Sequence, residues 1–428
     1  MGDLMSYRDA GIQPSPTAEV PLGYKRTEIG VIPQEWTLHQ LGELVFRIGS
    51  GITPRGGSKV YVANGRPFVR SQNVGWGKLE LDDLVFITDA VHETFRASEI
   101  EKGDVLLNIT GASIGRSAVA NERLHGGNVN QHVCEIRPHP ELLDSRYLSS
   151  YLLSEVGQQQ IDSFQAGGNR QGLNYGQIAS FFVPLPPLPE QRAIAAALSD
   201  VDALIAALDD LIAKKRGIKQ ATMQQLLTGK TRLKGFSGPW EERRLGEIAT
   251  ITMGQSPSSA FYNLDGNGLP LIQGNADIEK RQSIERVWTM QANKRCAAGN
   301  ILLTVRAPVG FVGIATSEVC LGRGVCGIQA HQNIDFLFHQ LVLCEPQWKA
   351  LEQGSTFTAA NRNQVEQFNI SIPMDGSEQR AIAEVLSDMD AELDALEARR
   401  EKTRQLKQGM MQQLLTGKVR LVTPEETP

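Results

Sequence analysis

Amide and guanidinium side chains are concentrated in the turns between the short apolar segments of this sequence. Such groups can pair with the edges of nucleic-acid bases or with phosphate oxygens, so they are the first candidates for chemistry. In the first half of the chain they are Arg70, Gln72, Asn73, Asn108, Arg116, Asn130, Gln131, Asn169, Arg170 and Asn174. In the second half they are Gln273, Asn275, Arg306, Arg323, Asn361, Arg362 and Asn363.

The alternative for each of these residues is a purely structural role, because Asn and Gly stabilise tight turns whether or not a ligand is present. For single residues the two interpretations stay open. The segment GGNRQGLN at 167–174 favours contact with a ligand as a whole. Its two glycines beside Arg and Gln suit a close approach to a phosphate backbone.

Recognisable catalytic motifs are absent from the sequence. It contains no Walker A loop, no HExxH, no GxSxG and no NPPY-like methyltransferase motif. The five cysteines, Cys134, Cys296, Cys320, Cys326 and Cys344, show no CxxC spacing and no histidines cluster near them. We therefore predict reduced thiols, no metal site and no catalytic residues in this chain.

Short strands with intervening turns must position the polar residues. Apolar, β-branched runs predict strands at 84–87, 105–109, 133–137, 301–305 and 325–329. Helical patterns accompany them in both halves. The fold class predicted is α+β, with two similar mixed domains of about 150 residues each.

A long internal repeat organises the rest of the chain. Residues 190–233 align without gaps with 378–421, and 27 of the 44 positions are identical. EQRAIA opens both copies and MQQLLTGK falls near the end of both. The chain is therefore two similar units in tandem.

The repeats have the pattern of long helices that pair with each other. Apolar residues recur in steps of four and three, which keeps one stripe facing a partner helix. We assign the following residues to helix pairing and partner binding: Ile194, Leu198, Val201, Ile205, Leu208, Ile382, Leu386, Met389, Leu393 and Leu396.

Charge order predicts the direction of that pairing. In each copy acidic residues come first, at 200–210 and 384–397, and basic residues follow, at 214–232 and 399–407. An antiparallel pair places acid beside base and opposes the helix dipoles favourably, whereas a parallel pair places acid beside acid. We predict an antiparallel coiled coil with a globular domain near each end, related by a pseudo-twofold axis.

The predicted boundaries follow from these patterns. They are a leader at 1–32, a first globular domain at 33–188, a central helix at 189–230, a second domain at 231–377, a distal helix at 378–421 and a tail at 422–428. The 428 residues carry a net charge of −5, which disfavours coating of nucleic acid by bulk charge. The sequence shows no secretory signal and no apolar run long enough for a membrane span, so we expect a cytoplasmic protein.

Several segments together carry a family resemblance that covers nearly the whole chain after the leader. They are TEIGVIPQEW at 27–36, GDVLLNITGASIGR at 103–116, NVNQHV at 128–133, GGNRQGLN at 167–174, VPLPPLPEQRAIAAAL at 183–198 and LLTGK in both repeats. With these segments the chain resembles the specificity subunit of a type I restriction-modification enzyme. The second half departs from the pattern, because IPMDGSEQR replaces PLPPLPEQR and no equivalent of NVNQHV is evident.

The resemblance implies a function and a set of partners. Each globular domain would be a DNA-recognition domain that reads one half of a bipartite, asymmetric target in double-stranded DNA with an unspecific spacer. The helices would dock two adenine methyltransferase subunits and set the spacer length. S-adenosylmethionine, ATP and Mg would be bound by the methyltransferase and by translocase–nuclease subunits, with no cofactor in this chain. The alternatives are a stand-alone DNA-binding regulator and a coiled-coil scaffold.

Overall fold

The computed structural model describes residues 20–165, 172–353 and 359–421. The chain divides into two compact units. The first comprises residues up to Ala207 together with those from Arg400 onwards, and the second runs from Leu208 to Arg399. Each unit contains a globular domain and part of each of two long helices.

The first unit contains eleven strands and five helices among the described residues. The strands are β1 Tyr24–Thr27, β2 Gly30–Pro33, β3 Thr37–Gln40, β4 Val45–Ser50, β5 Arg66–Val69, β6 Val85–Ile87, β7 Val105–Asn108, β8 Ser117–Val119, β9 Asn128–Val129, β10 Val133–Pro138 and β11 Phe182–Leu185. The helices are α1 Asp89–Glu93, α2 Ser145–Leu152, α3 Glu155–Ser163, α4 Tyr175–Ala179 and α5 Leu188–Leu226, of which α5 continues into the second unit.

A four-stranded antiparallel sheet of order β4-β10-β7-β8 forms the centre of the first unit. A smaller sheet of order β6-β5-β9 includes a parallel pairing of β5 with β9. The predicted strands at 84–87, 105–109 and 133–137 correspond to β6, β7 and β10, which confirms them to within about one residue.

The second unit repeats this plan with more strands. The strands are β12 Trp240–Arg244, β13 Ala249–Met253, β14 Tyr262–Asn263, β15 Leu269–Ile272, β16 Ile278–Glu279, β17 Gln282–Ser283, β18 Trp288–Thr289, β19 Arg295–Cys296, β20 Ile301–Thr304, β21 Val312–Ile314, β22 Val319–Leu321, β23 Val325–Ala330 and β24 Asn369–Pro373. The helices are α6 Leu245–Ile248, α7 Ile334–Leu343, α8 Glu345–Gln353, α9 Arg362–Glu366 and α10 Gly376–Leu414.

The two sheets share one topology. The order β13-β23-β20-β21 in the second unit reproduces β4-β10-β7-β8, and the parallel pair β15–β22 reproduces β5–β9. The flanking pair β12–β24 corresponds to β3–β11. Residues can therefore be compared between the units by strand register.

The long helices α5 and α10 each contain 39 residues. They end at Leu226 and Leu414, before the ends of the predicted helices at 230 and 421. The reason is local: Gly229 and Gly417 have φ angles of 67° and 70°, a left-handed conformation in which glycine stops a helix.

The two helices pack antiparallel within each unit. In the first unit the start of α5 meets the end of α10, where Lys407 Nζ lies 2.7 Å from Asp202 Oδ1. In the second unit the end of α5 meets the start of α10, where Lys215 Nζ lies 2.6 Å from Glu392 Oε1. The direction predicted from charge order is confirmed.

The ten apolar residues assigned to the helix stripe are all buried or half-buried. Ile194 and Leu198 belong to the core of the first unit, and Ile382 and Leu386 belong to the core of the second. Burying one such side chain contributes about 1.5–3 kcal/mol. The helices are thus integral to both globular cores.

The predicted leader requires a correction. Residues 1–19 and the tail at 422–428 lie outside the described residues, but 20–32 do not. β1 and β2 pair as a hairpin, Ile32 lies in the core, and Tyr24 Oη donates to the carbonyl of Gly417 at 3.1 Å. This part belongs to the first domain because its apolar residues cover the end of α10.

Candidate nucleic-acid interface

The polar candidates of the first unit gather at one end of the central sheet. Ser50, the last residue of β4, pairs with Cys134 near the start of β10, and Asn108, the last residue of β7, pairs with Val133. Gly172 bridges Thr110 at the same end. We call this sheet end, with the loops that leave it, the first tip.

The second unit has the same construction. Met253 at the end of β13 pairs with Cys326, and Thr304 at the end of β20 pairs with Val325. The bridge between Arg306 and Ala359 corresponds to that between Thr110 and Gly172. We call this sheet end the second tip.

A glycine is required where the chain enters each tip. A Cβ on Gly51 would lie 1.7 Å from the carbonyl oxygen of Val129, and a Cβ on Gly254 would lie 2.0 Å from that of Gly322. Only glycine permits this approach, since any side chain would overlap backbone atoms. Both tips therefore have the same backbone support.

The centre of the first tip is a network of hydrogen-bonded polar side chains. Thr53 Oγ1 donates to Gln131 Oε1 at 2.5 Å. His132 Nδ1 lies 2.6 Å from Thr110 Oγ1, and its Nε2 lies 3.0 Å from Gln131 Nε2. Ser50 Oγ is 2.5 Å from the hydroxyl of Tyr175. The network fixes the exposed Gln131 in place, with further donor and acceptor capacity toward solvent.

Three of the asparagine candidates lie beneath this surface. Asn73 and Asn108 are fully buried, and Asn130 is 7% exposed. Asn108 Nδ2 donates to the carbonyl of Ser71 at 2.8 Å, and Asn130 Oδ1 accepts from the His132 amide at 3.0 Å. The prediction that these three residues contact DNA is corrected, because their side chains are buried and stabilise turns.

Arg70 and Gln72 converge with Asn73 on one carboxylate. Arg70 Nη2 lies 3.1 Å from Asp83 Oδ2, Asn73 Nδ2 lies 2.8 Å from Oδ1, and Gln72 also donates to this carboxylate. Gln72 is exposed and Arg70 is half-buried. Both are oriented by Asp83, which reduces the cationic character of Arg70.

The remaining candidates of the first unit differ in their exposure and contacts. Arg116 is half-buried after the 111–115 loop, and its Nε has no hydrogen-bond partner among the described residues. Asn174 caps α4 and accepts from the amide of Gln177 at 2.9 Å. Asn169 and Arg170 lie outside the described residues, although Gly172 and Leu173 anchor the end of their segment to β7.

The surface of the second tip is cationic. Arg306 follows β20 and Arg323 lies in the turn between β22 and β23; both are exposed. Within the described ranges neither guanidinium forms an ion pair. The backbone of Arg323 is fixed by its amide, which donates to Ser256 Oγ at 3.1 Å. The turn Gly322–Gly324 is the structural equivalent of residues 130–132 in NVNQHV, a segment for which the sequence showed no counterpart in the second half.

The other candidates of the second unit flank these arginines. Gln273 is exposed, and a Cβ on Gly322 would touch it at 3.1 Å, so it lies beside the Arg323 turn. Asn361 caps α9, as Asn174 caps α4. Arg362 bonds to Glu366 and to the Ile251 carbonyl. Asn275 and Asn363 are exposed.

Sequence reasoning missed two cations at the first tip. Arg55 and Lys59 are exposed in the loop that follows β4, two and six residues after Thr53. No ion pair involves either of them in the described part of the chain. The flanking Gly56 and Gly57, both with positive φ, were the signal that a turn would present them.

One buried charge distinguishes the first unit from the second. Glu135, on β10, is fully buried beside Arg47, and burial raises the pKa of its carboxyl to about 7. Oε2 has no partner among the described residues. The register places Gly327 at the corresponding position of β23. The second sheet therefore lacks this charge.

The ends of the long helices are fixed by the same three residue types in both units. Arg420 donates to both oxygens of the buried Glu190 at 2.6 and 2.8 Å, with its guanidinium 5.6 Å from the Trp36 ring. Trp36 Nε1 also donates to Glu190 at 3.2 Å. We call this arrangement the helix-end junction.

In the second unit the junction consists of Arg232, Glu378 and Trp240, but here the indole Nε1 has no hydrogen-bond partner among the described residues. The two hydrogen bonds measure 2.5 and 2.6 Å, and the guanidinium lies 5.8 Å from the ring. The glutamate opens EQRAIA and the arginine follows LLTGK. The two ends of the repeat are retained because each binds the opposite end of the other copy.

Within the described ranges no group of three or more His, Cys, Asp or Glu residues could hold a metal ion. The described helices also include none that is long and apolar enough to cross a lipid bilayer. All five cysteines are buried and free of disulfides.

Comparison with known proteins identifies the family of this chain. A family model described as "Type I restriction modification DNA specificity domain" matches residues 33–214 and 237–407, one copy for each unit. The chain belongs to this family. Its role is recognition of a DNA sequence within a type I restriction-modification system, and the resemblance seen in the sequence is confirmed.

Relatives of the specificity chain cover it along most of its length. A Methanocaldococcus jannaschii protein, provisionally named the type I restriction enzyme MjaX specificity subunit, is 31% identical over 422 residues, or 94% of this chain and 97% of the relative. The Escherichia coli type I restriction enzyme EcoBI specificity subunit is 24% identical over 54% of this chain and 47% of its own length.

Solved structures agree with the fold. A chain from work on complex assembly and conformational transition of the type I R-M system has a TM-score of 0.60 and 25% identity, and the match covers 91% of this chain and 99% of that one. The type I S subunit from M. genitalium has a TM-score of 0.59 at 16% identity, covering 89% and 96%, which supports the fold alone.

Proposed function

We propose that each unit of this specificity chain reads one half of a bipartite, asymmetric DNA target, with an unspecific spacer between the halves. The observation that carries the proposal is the contrast between the tips. They stand on the same sheet ends and need the same glycines, yet the first presents the amide of Gln131 at the turn where the second presents Arg323. Different donors and acceptors select different bases.

The choice of groups also suggests how each half is read. Gln131 offers an amide, the group that pairs with adenine in the major groove. Arg306 and Arg323 offer guanidinium groups, which pair with guanine or with phosphate. Arg55 and Lys59 beside the first tip would bind backbone phosphates and position the domain.

We propose further that the long helices dock two adenine methyltransferase subunits and that this chain performs no chemistry itself. The repeat supports this: 27 of 44 positions are identical between the copies, which is more than helix packing alone requires. Two near-identical helical surfaces suit two copies of one partner. S-adenosylmethionine would then be bound by that partner, and ATP and Mg by a translocase–nuclease subunit. This assembly would act in the cytoplasm.

Mapping adenine methylation across a genome with and without this gene tests the proposal. We expect one split, asymmetric motif to be methylated only when the gene is present. A symmetric or continuous motif would contradict reading by two different tips. An unchanged methylation pattern would contradict the assignment to a methyltransferase complex.

The helices are also proposed to set the spacer length. Inserting one helical turn within α5, just after the exposed Gly217, should lengthen the spacer by about one or two base pairs, since a turn rises ~5.4 Å and a base-pair step ~3.4 Å. The same methylation map gives the spacer directly. A spacer of unchanged length would show that the helices do not determine it.

A further inference from the structure

An open pocket of about 500 Å³ lies in the first unit between the globular domain and the helix pair. Lys407 and Asp202 of the two helices form its floor as an ion pair 2.7 Å apart, beside Ser199. Ser150 of α2 lines the domain side. Arg123 and Arg146 stand at its rim, and both are exposed.

In the second unit, the space that corresponds to this pocket is occupied by a side chain of the unit itself. Its helices carry Ser387, Asp390 and Lys219, the repeat equivalents of Ser199, Asp202 and Lys407. His339 replaces Ser150, six residues after the cap of its helix in both cases, and is 2% exposed. Its Nε2 lies 3.4 Å from Ser387 Oγ, and its Nδ1 lies 4.0 Å from Asp390.

The imidazole that fills this space is neutral at physiological pH. Burial, followed by the nearby Lys219, lowers the pKa of His339 to about 4, against a smaller opposing effect of Asp390. The helix residues are the same in both units, so the single change from Ser150 to His339 accounts for much of the difference between an open space and a filled one.

The rim charges are reversed between the units. Arg146 is the second residue after the α2 cap, and the second residue after the α7 cap is Asp335. Arg123 follows Ala120 by three residues, and Glu318 follows the equivalent Ala315 by three. Arg123 forms no ion pair among the described residues, and Arg146 lies 3.7 Å from Asp144. The charged residues that line the first pocket are four cations, Lys78, Arg123, Arg146 and Lys407, and two carboxylates, Asp82 and Asp202. The corresponding rim positions of the second unit carry carboxylates instead, of which Glu318 lies 3.5 Å from Arg295.

The two arginines at the rim of the pocket lie at the end of the sheet opposite the first tip. β8 starts beside the tip and runs away from it, because it pairs antiparallel with β7, and Arg123 follows its far end. β10 also starts at the tip, and Arg146, in the first turn of α2, comes after the far end of β10. DNA held at the first tip would therefore lie away from Arg123 and Arg146, whereas a protein bound along the helices would adjoin them.

We propose that this pocket receives an acidic side chain of the methyltransferase subunit, between Arg123, Arg146 and Lys407, and that the second unit has no such site. This inference rests on the proposed function, since it names a contact of that partner. The two methyltransferase copies then bind with unequal affinity. Added salt weakens the binding of the copy on the first unit more than that of the copy on the second.

The test is stepwise binding of the cognate methyltransferase subunit to the full chain, by native mass spectrometry and calorimetry. The variants are Arg123→Glu with Arg146→Glu, which reverses the rim, and Ser150→His, which fills the pocket with the residue of the second unit. Arg55→Glu, at the DNA tip, is the matched control. DNA binding and thermal unfolding of each variant report on folding.

We expect both pocket variants to weaken one of the two binding steps at least tenfold and to leave the other within twofold. Arg55→Glu should weaken DNA binding and leave both steps unchanged. The proposal is overturned if the pocket variants change neither step or both equally. It is also overturned if the rim reversal acts but Ser150→His does not, since nothing would then enter the pocket.

Failure of the proposed function gives a different result. In that case the unaltered chain binds no methyltransferase subunit at all. If the unaltered chain binds two copies with equal affinity and equal salt dependence, the partner assignment stands and only the pocket proposal falls.

Discussion

The two tips differ in chemistry, while the four central strands beneath them have the same order in both units. Gly51 and Gly254 meet backbone carbonyls in the same way, and Asn174 and Asn361 cap equivalent helices. Above them stand Gln131 and His132 in one unit and Arg306 and Arg323 in the other. The comparison teaches that the exposed groups differ at a few loop positions, while the backbone support and the residue types at the helix ends are the same.

The largest expected effect concerns the helix-end junctions, which both units contain. Removing the arginine of a helix-end junction leaves a buried glutamate without its partner, a change that typically costs about 3–5 kcal/mol in proteins. We expect Arg420→Ala to lower the free energy of unfolding by a similar amount and Arg232→Ala to change it in the same direction, measured by urea unfolding with Trp fluorescence. Exposed Arg192→Ala serves as the control. Strongly unequal effects would break the equivalence of the two junctions.

The second prediction uses the buried charge found only in the first unit. Because the pKa of Glu135 is raised to about 7, the folded chain keeps a proton that the unfolded chain loses near its usual value. The free energy of unfolding therefore falls as the pH rises between about 4.5 and 7, by about 3 kcal/mol at most. Above pH 7 this contribution is constant.

Glu135→Gln should remove that pH dependence, so the variant gains stability relative to the native chain as the pH rises from 5 to 7. The exposed Glu122→Gln is the matched control and should leave the dependence intact. Urea unfolding at a series of pH values measures both. Parallel curves for Glu135→Gln and the native chain would show that this carboxyl titrates normally.

The smallest expected effects sharpen the contrast between the tips. Arg306→Ala and Arg323→Ala should each weaken DNA binding about tenfold, within the ~1–3 kcal/mol typical of a specific base contact. Each should also lower the slope of log affinity against log salt by about 0.9, provided the charge meets a phosphate. Gln131→Ala should weaken binding similarly without changing the slope, because its amide is neutral.

Binding to a duplex containing the methylated motif, measured at several salt concentrations, separates the two tips. Arg380→Ala, an exposed arginine on α10, is the control and should leave the slope unchanged. If Gln131→Ala lowered the slope as much as Arg306→Ala, the tips would not differ in the way that their surfaces indicate.

Much of the fold could be predicted from the sequence because its signals are periodic and local. The two long helices and their antiparallel direction follow from apolar spacing and charge order, and the structure confirms both, although each helix ends earlier than predicted. The junction of Arg420 with Glu190 could not be predicted, because the two residues are 230 positions apart and look like ordinary helix charges.

The candidate site was predictable only in outline. The sequence placed amides in turns, but it could not separate Asn108, which is buried beneath the tip, from Gln131, which is exposed on it. That difference depends on which carbonyls the folded loops bring near each amide. The Gly322–Gly324 turn was missed for a related reason, since strand register and not residue identity makes it the equivalent of 130–132.

The most direct test of the central claim exchanges one reader and observes both halves of the target. Residues 1–183 are replaced by the matching part of a relative with a different target, and genomic adenine methylation is mapped. We predict that one half of the motif changes, while the other half and the spacer length stay as they were. A change in both halves, or in neither, would contradict the account of two independent tips.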